Sequence, residues 1–121
     1  MSPSLPVPPP DPVLDEIAAR VTGQMVNAGI VGIDELWSRG EPLDQPLATY
    51  SWLAHAASRR NTAGLWTLIA WIHWRSNDRQ AAWPALHLAL DIDPDQNTPH
   101  YLAVFMYDHV DPARIPPIRF Q

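Results

Sequence analysis

Three sets of residues carry side chains capable of chemistry. Asp91, Asp93 and Asp95 alternate as the first ligands of a calcium loop do. Such a loop needs glycine at its sixth position and a bidentate glutamate at its twelfth. Here those positions hold Gln96 and Leu102, and Pro94 sits inside, so a helix-ending turn is the expected role. His55, His73, His87, His100 and His109 raise the question of zinc. A tetrahedral site needs four convergent ligands; no His-x₃-His pair shares a helix and cysteine is absent. Ser51, His55 and Asp44 form a sequence-local trio for nucleophilic catalysis, but no glycine elbow exposes the serine. No glycine-rich phosphate loop occurs. No cofactor, metal or catalytic residue is expected from these patterns.

A fourth set is aromatic. Trp71, His73 and Arg75 lie within five positions and could furnish a pocket with a base and a cation. That supports an alternative reading as a small-ligand-binding protein or enzyme. It requires the imidazole and guanidinium to converge with an acid.

Helices must position all of these residues. Asp11-Pro12 is a helix start, since aspartate caps and proline suits the first helical position. Asp15 and Glu16 favour the positive end of its dipole. Leu14, Ile17, Val21, Met25 and Ala28 form one apolar stripe, with Gly29 as the expected stop. A short helix is expected over 33–39, closed by Gly40. Asp44 is the expected cap of a helix to about Arg60, its inner face Leu47, Tyr50, Leu53, Ala54 and Ala57. The segment from Thr62 to Ser76 is apolar on nearly every side, the pattern of a helix surrounded by others. Asp78 caps a helix to about Ile92; Pro84 within it predicts a bend or a late start. Asn97 or Thr98 opens a helix to about His109, and Asp111-Pro112 a final turn. No segment alternates as a strand does. The predicted class is all-α: a small bundle of five to six helices.

The 121 residues suit a single domain, 46% hydrophobic and 17% charged, with net charge −5. All eight basic residues are arginine, a bias of GC-rich genomes. Arg59-Arg60 is the only adjacent basic pair, too little for a nucleic-acid backbone. No run of about 18 apolar residues suggests a membrane span, and the start Met1-Ser2-Pro3 lacks a secretory pattern; a cytoplasmic location is expected. Six of the fourteen prolines fall within residues 1–12. Residues 1–10 therefore read as an extended arm, able to dock on an aromatic groove. The helical domain spans 11–115 and a tail spans 116–121.

Trp66, Ile69, Ala70 and His73, then Ala82, Leu86 and Pro94, fall at the spacings of the tetratricopeptide signature, which runs over about 34 residues. The stretch 63–96 thus resembles one tetratricopeptide hairpin, followed by a cap helix over 97–109. Small residues at Ala70 and Ala82 let the two helices approach; His73 departs from the usual tyrosine. The segment Leu65-Trp66-Thr67-Leu68-Ile69-Ala70-Trp71, then Asn77-Asp78, Ala82-Trp83, and Ala89 to Asp95, resembles the C-terminal part of an actinobacterial family, domain of unknown function 4192. The ending Asp111 to Pro116 is similar too, and the likeness covers roughly residues 45–118. It implies a fold and a lineage, and no reaction.

In tetratricopeptide-like folds the first helix lines a concave binding surface. By position, that surface comprises Thr67, Trp71, Trp74 and Arg75, with Tyr101, Phe105 and His109 added by the cap helix. Aromatic rings of this kind dominate interface hot spots. The competing reading makes the same tryptophans core. The expected function is a non-enzymatic interaction or scaffold module, binding a partner protein or a second copy of itself.

Overall fold

The computed structural model describes residues 11–119, and every regular element among them is helical. The proline-rich arm expected over 1–10 lies outside the described residues. Helix α1 (Pro12–Arg20) passes through a π-helical turn (Val21–Met25) into α2 (Val26–Ser38). Then come α3 (Asp44–Ala56), α4 (Ala63–Arg75), α5 (Arg79–Ile92) and α6 (Asn97–Tyr107), with 3₁₀ turns at Arg59–Asn61 and Pro112–Arg114.

Gly29 does not end the first helix. The chain runs as one rod from Pro12 to Ser38, absorbing the short helix expected over 33–39. Gly29 instead provides clearance, because a Cβ there would lie 2.8 Å from a Leu68 methyl. The π turn also re-phases the expected stripe. Up to its first residue, Leu14, Ala18 and Val21 face inward; after it, Val26, Ile30, Ile33 and Trp37 do. The step from Val21 to Val26 is five residues where a plain α-helix would use four. Ile17, Met25 and Ala28 are therefore exposed.

The π turn coincides with a tertiary cap. Thr62 precedes α4 without capping it through its side chain. The Thr22 hydroxyl does so from across the fold, accepting from the Gly64 amide (3.1 Å) and donating to the Asn61 carbonyl (2.8 Å). Two turns earlier in the rod, Asp15 accepts from the Ser58 amide (2.8 Å), Asn61 Nδ2 (2.9 Å) and the Ser58 hydroxyl (3.1 Å). A residue expected only to favour its own helix dipole thus anchors the α3–α4 connection. That connection begins early, because Ala57 is extended and α3 stops at Ala56 rather than Arg60. Leu43, not Asp44, precedes α3, with no side-chain cap.

Helix α4 is the centre of the core, with eleven of its thirteen residues buried. It packs against α2, α3, α5 and α6. Asn77, in the left-handed region (φ 62°), turns the chain between α4 and α5, and Asp78 caps α5 by accepting from the Ala81 amide. Ala70 and Ala82 are both fully buried in the common core. Helix α5 is continuous from Arg79 through Pro84, so the late start does not occur. Gln96, rather than Asn97 or Thr98, precedes α6. Arg79 joins the two ends of the layer, donating to the Met106 carbonyl and to His109 Nδ1 (2.7 Å).

Candidate functional site

Two features at the α2–α4–α6 junction stand out: a buried ion pair and a cleft beside it. The ion pair joins Asp34 of α2 to Arg75 of α4, both side chains inaccessible to solvent. Arg75 Nε donates to Asp34 Oδ1 at 2.9 Å and Nη2 to Oδ2 at 2.8 Å, a two-pronged match of planar groups. Arginine has five N–H donors. The other three reach the carbonyls of Pro112 (2.8 Å), Ile115 (2.8 Å) and Pro116 (3.1 Å). Asp34 is equally filled. Its Oδ1 also accepts from Trp71 Nε1 (2.7 Å), and its Oδ2 from the Ile118 amide (2.8 Å).

The guanidinium lies between indoles. Its central carbon is 4.0 Å from the Trp37 ring centroid, 5.0 Å from Trp74 and 5.4 Å from Trp71. Such faces stabilise a cation electrostatically and shield it from water. The cluster thus strings residues 112–118 onto the helical core through main-chain hydrogen bonds. A buried charge is tolerated only when paired and hydrogen-bonded; here every N–H of Arg75 and both carboxylate oxygens of Asp34 have partners.

This geometry corrects the expected binding face. Thr67, Trp71, Trp74 and Arg75 are covered by α2, α6 and the C-terminal segment. The Thr67 hydroxyl donates to its own helix at Ala63. Trp74 stacks on Phe105, with ring centroids 5.5 Å apart. The core alternative therefore describes these four residues. Tyr101 and Tyr107 remain open to solvent, while Phe105 is half-buried. His73 does not join Trp71 and Arg75. Residues 71 and 75 are one turn apart on α4, and a residue two positions on points to the opposite side.

The remaining titratable groups have local roles. His55 Nδ1 donates to the Ser51 carbonyl rather than engaging its hydroxyl. His100 Nε2 donates to the Pro94 carbonyl. Asp93 caps the turn by accepting from the Asp95 amide, and Asp91 pairs on the surface with Arg59 at 2.9 Å. Of the three aspartates, Asp93 thus serves the helix-ending turn and Asp91 a surface ion pair.

The cleft, of about 300 Å³, opens between α2 and α6. Asn27 and Ile30 line one wall; Thr98, Tyr101 and Phe105 line the other; Trp71 and Ile118 contribute the inner surface. Apolar area predominates, and no lining residue is charged. Of the residues anticipated for partner binding, Trp71, Tyr101 and Phe105 meet here. Asp34 and Ile118 were not anticipated. Asp34 had a signal: it stands within the inward series Ile30, Ile33 and Trp37. Ile118 had none, because its place depends on the carbonyls that hold the tail.

No family model, curated protein or solved structure matches the chain. Among the described residues, no helix is long and apolar enough to cross a membrane.

Proposed function

We propose that the chain is a non-enzymatic helical interaction module, a scaffold or accessory subunit acting in the cytoplasm. Its binding surface is the α2–α6 cleft. The α4–α5 hairpin, with its tetratricopeptide-like spacing, supplies the rigid support. The observation that carries this reading is the division of the aromatic residues. Trp71 and Trp74 are sunk into the core, which fixes the position of α6, while Tyr101 presents its ring at the mouth of an uncharged cleft. Rigid aromatic anchors around a pocket are what protein interfaces concentrate their binding energy on. Arg75, the cation the ligand-binding alternative would need, has all five donors spent within the chain.

Site-specific photocrosslinking tests the reading. The full chain carrying Tyr101→p-benzoylphenylalanine is expected to capture a polypeptide in its native host. The same group at Ala19, exposed on α1, is the control. Equal capture from both positions, or none from position 101, overturns the assignment of the cleft.

A further inference from the structure

We propose that the cleft receives the proline-rich segment, residues 3–10, of a second copy of the chain. This rests on reading the cleft as an interaction surface and names its occupant. Two arguments carry it, one chemical and one geometric.

The chemical argument is complementarity. The segment contains Pro3, Pro6, Pro8, Pro9 and Pro10 with Leu5 and Val7, and no charged residue. Proline rings dock against aromatic walls, and their carbonyls, lacking local partners, seek side-chain donors. The cleft has Tyr101 and Phe105 for the rings, over a floor to which the buried Trp71 contributes, and the amides of Asn27 and Asn97 at its edge. In a chain of net charge −5, an uncharged segment is the portion one copy can bring to another without electrostatic penalty.

The geometric argument selects the second copy over the chain's own cleft. Asp11 begins the rod, its side chain fixed by bonds to the amides of Val13 and Leu14. Asn27 and Ile30 lie 16 and 19 residues further along, which places the cleft about 24–28 Å away at about 1.5 Å per residue. Even fully extended, at about 3.5 Å per residue, Pro8 to Pro10 reach only about 11 Å from Asp11 and Leu5 about 21 Å; only Pro3, at about 28 Å, spans the distance, so a chain could touch its own cleft with no more than the first few residues of the segment. The three consecutive prolines therefore fall well short of their own cleft, and a neighbour's cleft is free of that restriction. Because arm and cleft are different surfaces, the contact is head-to-tail, unless two copies exchange arms and close a dimer.

Complementation between two defective full-length variants tests this. Sedimentation velocity from about 1 µM to about 1 mM should show concentration-dependent association of the wild type. The triple variant Pro8→Ala, Pro9→Ala, Pro10→Ala should associate at least about tenfold more weakly, as should Tyr101→Arg. Tyr101 is exposed, so the fold should survive; Asn27→Arg, on the opposite wall and also exposed, gives an independent second variant. Mixed, the arm variant and a cleft variant should recover one-sided association, because one retains the cleft and the other the arm. A monomeric wild type, undiminished association of the triple variant, or failure of the mixture to associate overturns the proposal. If in that event the position-101 crosslink still captures a different polypeptide, the cleft remains an interaction surface and only its occupant changes.

Discussion

Asp34 and Arg75, forty-one positions apart, share two parallel hydrogen bonds of 2.9 and 2.8 Å with no solvent access to either side chain. Each side chain also binds the C-terminal segment, the arginine through carbonyls and the aspartate through an amide. The pair gathers α2, α4 and the tail at one point through charge-assisted bonds. Removing one member leaves the other buried and uncompensated. Asp34→Ala and Arg75→Met are each expected to destabilise the protein by about 3–5 kcal/mol. The double variant should cost well under the sum, because no orphaned charge remains. Urea denaturation of the four proteins checks this; additive losses would show that the two residues act independently.

Two indoles in the same cluster differ in one bond. Trp71 Nε1 donates to Asp34 at 2.7 Å, whereas the buried Trp74 Nε1 has no partner among the described residues. Phenylalanine at either position removes the N–H and part of the ring. Trp71→Phe should therefore lose an additional 1.5–3 kcal/mol or so from a hydrogen bond to a charged group. Trp74→Phe should be the milder change, since it deletes an unsatisfied donor. Equal melting temperatures for the two variants would contradict this ordering.

The glycines sort by what a methyl group would meet. At Gly64 a Cβ would lie 2.6 Å from Thr22 Cα, which is backbone and cannot move aside. Gly64→Ala should separate α4 from the π turn and be the most damaging of the series. At Gly29 the obstacle is the end of the Leu68 side chain, at 2.8 Å, so the loss should be smaller. Nothing lies within 4 Å of the Gly32 position, in the interior of α2. Gly32→Ala should stabilise by about 0.4–1 kcal/mol through the unfolded chain's entropy. Thermal denaturation of the three variants should give the order 32, 29, 64.

What could be read in advance depends on how local its cause is. The α4–α5 hairpin was legible because its signals are neighbours: Asp78 caps three residues ahead, Asn77 turns, and small Ala70 and Ala82 mark the seam. The π turn was not, because it exists where Thr22 reaches Asn61 and Gly64 from about forty positions away. Gly29 looked like a stop because glycine usually serves as one, yet here packing against Leu68 sets its use. Arg75 reads from its position on the hairpin's first helix as part of a binding face. Three of its five acceptors are main-chain carbonyls, which leave no mark in a sequence. Tyr101 and Phe105 lie four residues apart on α6, so their shared place along the cleft follows from helical spacing alone.

Asp15 should give the protein a distinct acid limb. Its side-chain bond from Asn61 first, then the Ser58 amide and hydroxyl, holds its carboxyl below the ordinary aspartate range, with Arg60 adding to the effect. A carboxylate with a depressed folded pKa stabilises fully above its unfolded value of about 3.9, and that contribution fades as pH falls through the lower folded value. Wild type and Asp15→Asn should therefore differ most in melting temperature at neutral pH and converge as pH falls through the lowered folded value. A gap that stays constant across that range would mean that the bonds to Ser58 and Asn61 do not depend on the charge.

Pro84 breaks a rule of helix interiors without breaking the helix. It stands exposed at the sixth position of α5, and the carbonyl of Gln80 has no amide there to accept from. Little packing is lost on replacing an exposed ring, so Pro84→Ala should stabilise by about 1–3 kcal/mol, read as a higher urea midpoint at unchanged m-value. The neighbouring Trp83 offers the competing reason for the proline. Its ring meets Tyr107 of α6 edge-on, with centroids 5.0 Å apart, and a bend at residue 84 could be what sets that angle. Pro84→Gly separates the two explanations. Both variants restore the amide, and glycine should fall below alanine by about 1 kcal/mol if helix propensity alone decides. If both variants instead lose stability, and the Trp83 fluorescence changes with them, the proline is there to seat the indole against Tyr107.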